Sequence, residues 1–158
     1  MSRRSAVEQT AFGPMVIAAC ERYTPAEQRM LRDDLAERFL PPGQRLAVRA
    51  CRWSPVRRLL VDATERQATG LWGSMLCRKR YIDERVAEAL DGGTEQLVVL
   101  GAGLDTRALR LAAPRGVRAF EVDLPANVAD KRSRVRAVAG GRADALTFVP
   151  LDLATDDL

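Results

Sequence analysis

The sequence contains no histidine. That absence removes the commonest general base and metal ligand near neutral pH, and it excludes any Ser/His/Asp or Cys/His nucleophile arrangement within the chain. The three cysteines, Cys20, Cys51 and Cys77, lie far apart and form no Cys-x-x-Cys pair, so neither a disulfide framework nor a zinc site is expected. No run of about 18 apolar residues offers a membrane span. The N-terminal "MSRRSAVEQTAFGP" also lacks the apolar core of a secretory signal. A cytosolic location without a membrane partner is therefore the expectation. Aromatic residues make up 5% of the chain, and only Lys79 and Lys131 among its 25 basic residues are lysine.

With 158 residues, 47% hydrophobic and 29% charged, the composition is that of an ordinary globular protein with one real core. The net charge of +4 raises nucleic acid as a partner. The positive charge is nevertheless spread from Arg3 to Arg142 with acids near each cluster, so nucleic acid is not expected; the arginine skew reads as a compositional habit.

The first 93 residues read as helical. Residues 5–22 carry Val7, Ala11, Met15 and Ala18 at helical spacing, with Gly13-Pro14 as a point of interruption. "TPAEQRMLRDDLAERFLPPG" offers Thr24 as N-cap, Pro25 at the first helical position and Glu27 in a capping box, with Pro41-Pro42-Gly43 as the stop. Ser54-Pro55 starts another helix that Gly70 ends, and a further one is expected from about Arg80 to Leu90.

After Gly93 the pattern changes to short β-prone runs at 96–100, 117–122 and 145–150, separated by "DTRALRLA" and "PANVADKRSRVRAVAGG". Strand, helix, strand, helix, strand predicts a parallel α/β sheet. "LVVL" has no polar alternation, as expected of a strand covered on both faces. It runs into Gly101-Ala102-Gly103, where the backbone can turn sharply and a ligand can approach closely. The second strand ends in "FEVDLP", placing Asp123, 22 positions after Gly101, where a carboxylate can accept both bonds of a ribose diol. Glu121, two residues earlier, points the same way on a strand, as a group below the ribose. Asp152 at the tip of the third strand can accept from an adenine amine while Leu153 covers the ring; capping a following helix is its alternative role.

A dinucleotide fingerprint wants a third glycine at position 106, but Thr106 stands there behind Asp105. A carboxylate at that helix entrance repels a pyrophosphate, which disfavours NAD and suits a ligand bearing an ammonium group and no phosphate. Asp105 can also simply cap the helix. "LVVLGAGLDTRALRL", "FEVDLPANVADKR" and "FVPLDL" together resemble the leucine carboxyl methyltransferase-like family of class I S-adenosylmethionine-dependent methyltransferases, including its actinobacterial members. Upstream, "CRKRYIDERV" is similar to that family's arginine-containing segment, and the resemblance covers roughly residues 24–158.

The resemblance implies a Rossmann-like domain beginning at residue 94, with residues 1–93 as a helical segment packing on the sheet. It implies S-adenosylmethionine as cofactor, with Arg78, or alternatively Arg80, on its methionine carboxylate. Gly101, Ala102 and Gly103 would lie against the methionine and ribose portions, Asp123 on the ribose, and Asp152 with Leu153 on adenine. The expected reaction is methyl transfer to a carboxylate or hydroxyl of a small-molecule or protein-terminal acceptor. The family sheet has seven strands in the order 3-2-1-4-5-7-6, and only three are encoded here. The chain is therefore expected to be a truncated piece, or to complete its sheet through self-association at the open edge. An NAD-binding oxidoreductase domain and a non-catalytic binding or assembly module are the alternatives.

Overall fold

The computed structural model describes residues 6–156. They form two compact units, residues 9–82 on the one hand and residues 6–8 with 83–156 on the other.

The first unit is helical. Helix α1 (Ala6–Cys20) runs through Gly13-Pro14 without a break and buries Met15, Ile17, Ala18 and Ala19. Each fully buried side chain of Met or Leu size contributes roughly 1.5–3 kcal/mol, enough to offset the hydrogen bond Pro14 removes. The apolar spacing at Val7 and Ala11 lies outside the described side chains. Cys20 packs its Sγ 3.2 Å from that of Cys51, both free and fully buried, and burial pushes the Cys20 thiol far above its ordinary value.

The helix expected from Thr24 does not form. Residues 24–35 are irregular, and only the single turn α2 (Ala36–Phe39) is helical before Pro41. The reason is competition from two carboxylates. Buried Glu21 accepts the Met30 N–H at 2.6 Å and the Thr24 hydroxyl at 3.2 Å, so Thr24 does not cap a helix. Asp33 Oδ1 accepts the Leu35 and Ala36 N–H groups at 3.2 and 3.0 Å, which moves the helix start to Ala36. Pro42, expected as part of a stop, instead opens α3 (Pro42–Ala50), where its fixed φ and missing N–H suit the first helical position.

Helix α4 (Ser54–Gln67) follows its sequence signals, and Gly70 ends the segment with φ +79°. Helix α5 (Leu71–Asp91) begins nine residues earlier than expected. Its first turn is capped from a distance, with Glu65 accepting the N–H groups of Gly70 at 2.5 Å and Trp72 at 3.1 Å.

The second unit carries the sheet. Strands β1 (Gln96–Leu100), β2 (Arg118–Asp123) and β3 (Leu146–Pro150) are parallel in the order β1-β2-β3. Val98 faces Phe120 and Leu100 faces Val122 in the first pair, and Asp123 faces Pro150 in the second. Helix α6 (Pro125–Val138) connects β2 to β3. The segment after β1 is a π-helical turn (Ala108–Ala112) followed by a 3-10 turn, in place of the expected α-helix. Pro114 cannot donate the N–H that a regular helix would require there. Leu109, Ala119, Val122, Val128 and Val135 fill this core.

β1 lies at the edge of the sheet among the described residues, and its Val98 and Leu100 are 55% and 53% exposed. That disagrees with a strand covered on both faces. The apolar sequence of β1 is as expected, but within its unit no described strand pairs with its outer edge. No helix of the described residues is long and apolar enough to cross a membrane.

Candidate functional site

In a parallel sheet all carboxyl ends lie at one side, and the segments leaving β1, β2 and β3 there carry Gly101–Gly103, Asp123 and Asp152. The turn after β1 has Gly101 at φ +59° and Gly103 at φ +44°, left-handed conformations in which a Cβ is strained. Between them Ala102 is buried, and its N–H donates to the Val122 carbonyl at 3.2 Å, pinning the turn to β2. A Cβ on Gly101 would meet nothing within 4 Å, so there is open space for a ligand against that backbone.

Asp123 closes on this turn. The Gly103 N–H donates to Asp123 Oδ2 at 2.5 Å, while Oδ1 accepts the Leu124 N–H and the Asn127 side-chain amide, each at 2.7 Å. The carboxylate is fixed in place and keeps acceptor capacity on Oδ2 for a further donor. The structure thus brings the two strongest sequence signals into one site.

Below them, Glu121 and Lys131 form a buried ion pair, Nζ to Oε2 at 2.8 Å, with 1% and 2% of each residue exposed. Lys131 Nζ also lies 3.5 Å from the Ala102 carbonyl. Burial raises the Glu121 carboxyl above its ordinary value, Lys131 opposes that shift, and the charges of Asp105 and Asp123 add to it. Three carboxylates therefore lie close enough to feel one another beside the glycine turn. Lys131 neutralises Glu121 and Arg107 neutralises Asp105, which leaves Asp123 as the carboxylate without a cationic partner here.

Asp105 caps the following turn, as one of its two readings had it: its Oδ1 accepts the Arg107 N–H at 2.7 Å. Arg107 pairs with Asp105 and with Asp83.

Asp152 follows β3 and accepts the Ala154 N–H on Oδ1 at 3.0 Å, capping the turn that contains Leu153. Leu153 is 44% exposed. Arg78 and Arg80 are exposed on α5 and belong to the helical unit. That unit also carries an open apolar pocket of about 520 Å³, lined by residues that include Val16, Ile17, Val48, Leu60, Trp72 and Met75.

Three residues escape the sequence reading. Asn127, four positions after Asp123, and Lys131, one of two lysines in an arginine-rich chain, leave faint traces in the sequence. A compact ammonium on a flexible stem fits a buried site where a planar guanidinium would need more partners. Asp83 leaves none, because its partners are 24 and 27 positions away.

The parallel sheet, the strand-end glycine turn and the acid on the next strand define a Rossmann-like α/β fold of the class I methyltransferase type. The family model for leucine carboxyl methyltransferase matches residues 11–158. The chain belongs to the leucine carboxyl methyltransferase family. Among similar proteins, one from Frankia alni is 37% identical over 155 residues, covering 96% of this chain and 51% of that protein. One from Saccharopolyspora erythraea is 42% identical over 146 residues, covering 89% and 46%. One from Streptomyces coelicolor is 35% identical over 133 residues, covering 84% and 44%. All three carry the provisional name of S-adenosyl-L-methionine-dependent methyltransferase. The chain spans about half the length of these curated relatives.

Proposed function

We propose that residues 94–158 form the S-adenosylmethionine-binding half of a methyltransferase that acts on a carboxylate or hydroxyl acceptor, with residues 1–93 as its N-terminal helical segment. The observation that carries this reading is the pairing of Asp123 with the Gly101–Gly103 turn at the carboxyl end of a parallel sheet. The open space over Gly101 and the acceptor capacity left on Asp123 support a ribose-bearing ligand at this turn. The names of the relatives support the same cofactor.

In this reading Asp123 accepts from the ribose hydroxyls, and the turn backbone lies along the methionine and ribose portions. Asp152 and Leu153 meet adenine, and Arg78 or Arg80 holds the methionine carboxylate as a two-pronged donor. When bound, the cofactor supplies an activated methyl group for in-line transfer. An ionised carboxylate acceptor needs no base, so a chain without histidine is compatible with the chemistry. The task left to the protein is alignment, which is worth several kcal/mol. We also read the free edge of β1 as the place where a further strand adds, whether from the same polypeptide or from a second copy.

Calorimetric titration with S-adenosylmethionine and, separately, with NAD tests the cofactor. Saturable binding of the former and none of the latter is expected. Tight NAD binding would replace this reading with that of an oxidoreductase domain. Binding of neither, with retained oligomerisation, would favour an assembly module.

A further inference from the structure

We infer that Asp83 is a positioning residue for the cofactor turn, acting through Arg107 and Arg110. Its two carboxylate oxygens are used separately: Oδ1 accepts from Arg107 Nε and Oδ2 from Arg110 Nη2, each at 2.7 Å. Arg107 also pairs with Asp105, and Arg110 Nε donates to the buried Thr106 hydroxyl at 2.9 Å. The charged side chains of this cluster are only 12–17% exposed, so solvent screens the pairs far less than it would at the surface.

The cluster fixes one end of the glycine turn. The Asp105 N–H donates to the Ala102 carbonyl at 2.7 Å, and Asp105 Oδ1 takes the Arg107 N–H. Asp123 fixes the other end through the Gly103 N–H. A stretch with two left-handed glycines is thereby held between two carboxylate anchors. Glycine loses more conformational freedom on ordering than any other residue, so an unanchored turn would have to be ordered by the ligand at the expense of affinity. Two carboxylates and two guanidiniums leave the cluster neutral, so it acts on the shape of the site and not on its net charge. Asp83 lies on α5, three residues after Arg80 and five after Arg78.

This inference rests on the cofactor reading above, and its test separates the two. The affinity of the chain for S-adenosylmethionine is measured by calorimetry for wild type, Asp83→Asn, Arg110→Gln and Asp91→Asn. Amide hydrogen exchange is followed on the same proteins without ligand. Asp83→Asn is expected to weaken binding about tenfold, as lost charge-assisted bonds would. It should speed exchange at the amides of residues 102–107 while leaving residues 119–122 of β2 unchanged. Arg110→Gln, which removes one of the bonds to Asp83, should do the same to a smaller extent and serves if Asp83→Asn folds poorly. Asp83→Glu, which keeps the charge, should restore part of the affinity. Asp91→Asn removes an exposed pair with Arg115 on the same helix and should change neither readout. Unchanged turn exchange in both the Asp83→Asn and Arg110→Gln variants, or exchange raised uniformly across β2 as well, overturns the inference. Failure of wild type to bind S-adenosylmethionine would sink the cofactor reading instead, and the exchange arm would still decide whether Asp83 holds the turn.

Discussion

The Gly103 N–H donates to Asp123 Oδ2 at 2.5 Å, joining the turn after β1 to the last residue of β2. This contact lets one carboxylate hold the backbone of the glycine turn and present acceptor capacity to a ligand. Asp123→Ala is therefore expected to weaken S-adenosylmethionine binding by about 10–100-fold, the loss of a charged acceptor. Asn127→Ala, which removes one of the two bonds to Oδ1, should cost less than Asp123→Ala. Unchanged calorimetric affinity in Asp123→Ala would mean that the ribose assignment is wrong.

Gly101 separates strain from occupancy. A Cβ there meets no atom within 4 Å, yet the residue sits at φ +59°. Gly101→Ala should lower stability by about 1 kcal/mol, the cost of a left-handed alanine. If a ligand lies against this backbone, affinity should fall by far more than that cost implies. Denaturant titration and calorimetry on the same variant distinguish the two, and an affinity loss no larger than the stability loss argues against contact.

The buried Glu121–Lys131 pair predicts an asymmetric mutational response. Lys131→Met leaves the buried Glu121 carboxyl without its partner and should cost about 3–5 kcal/mol, whereas Glu121→Leu combined with Lys131→Met should recover most of it. Urea unfolding of the single and double variants measures this; a double variant as unstable as the single one would contradict it.

The same pair carries a pH signature. Because the Glu121 carboxyl is raised in the folded state, its contribution to stability is fully present below the ordinary carboxylate value. It is lost as pH climbs through the raised one. The stability advantage of wild type over Glu121→Gln should shrink as pH rises above the ordinary carboxylate range. An advantage that grows over this range reverses the sign and defeats the assignment.

At the sheet edge, Val98 and Leu100 present apolar surface beside unpaired backbone groups of β1. The 158-residue chain is expected to self-associate in a concentration-dependent way, and Val98→Lys with Leu100→Lys should reduce that association. Sedimentation of a folded monomer at all concentrations would exclude this edge as a contact surface.

The sequence by itself determined the three parallel strands after Gly93, the helix between the second and third, the glycine turn and the acids at the strand ends. These depend on local rules: β-branched runs, left-handed glycines and a period fixed by neighbours in the chain. It also determined that none of these 158 residues is a histidine. Tertiary structure alone decided the rest. Glu21 and Asp33 take the amides that a helix from Thr24 would have used, and Glu65 caps a helix that begins at Leu71. Lys131 reaches Glu121, and Asp83 reaches Arg107 and Arg110 across 24 and 27 residues. In each case a charged side chain finds its partner only after the chain has folded. Local propensity is worth at most about 1 kcal/mol per residue for anything but proline, whereas an unpaired buried charge costs several, so the distant partner prevails.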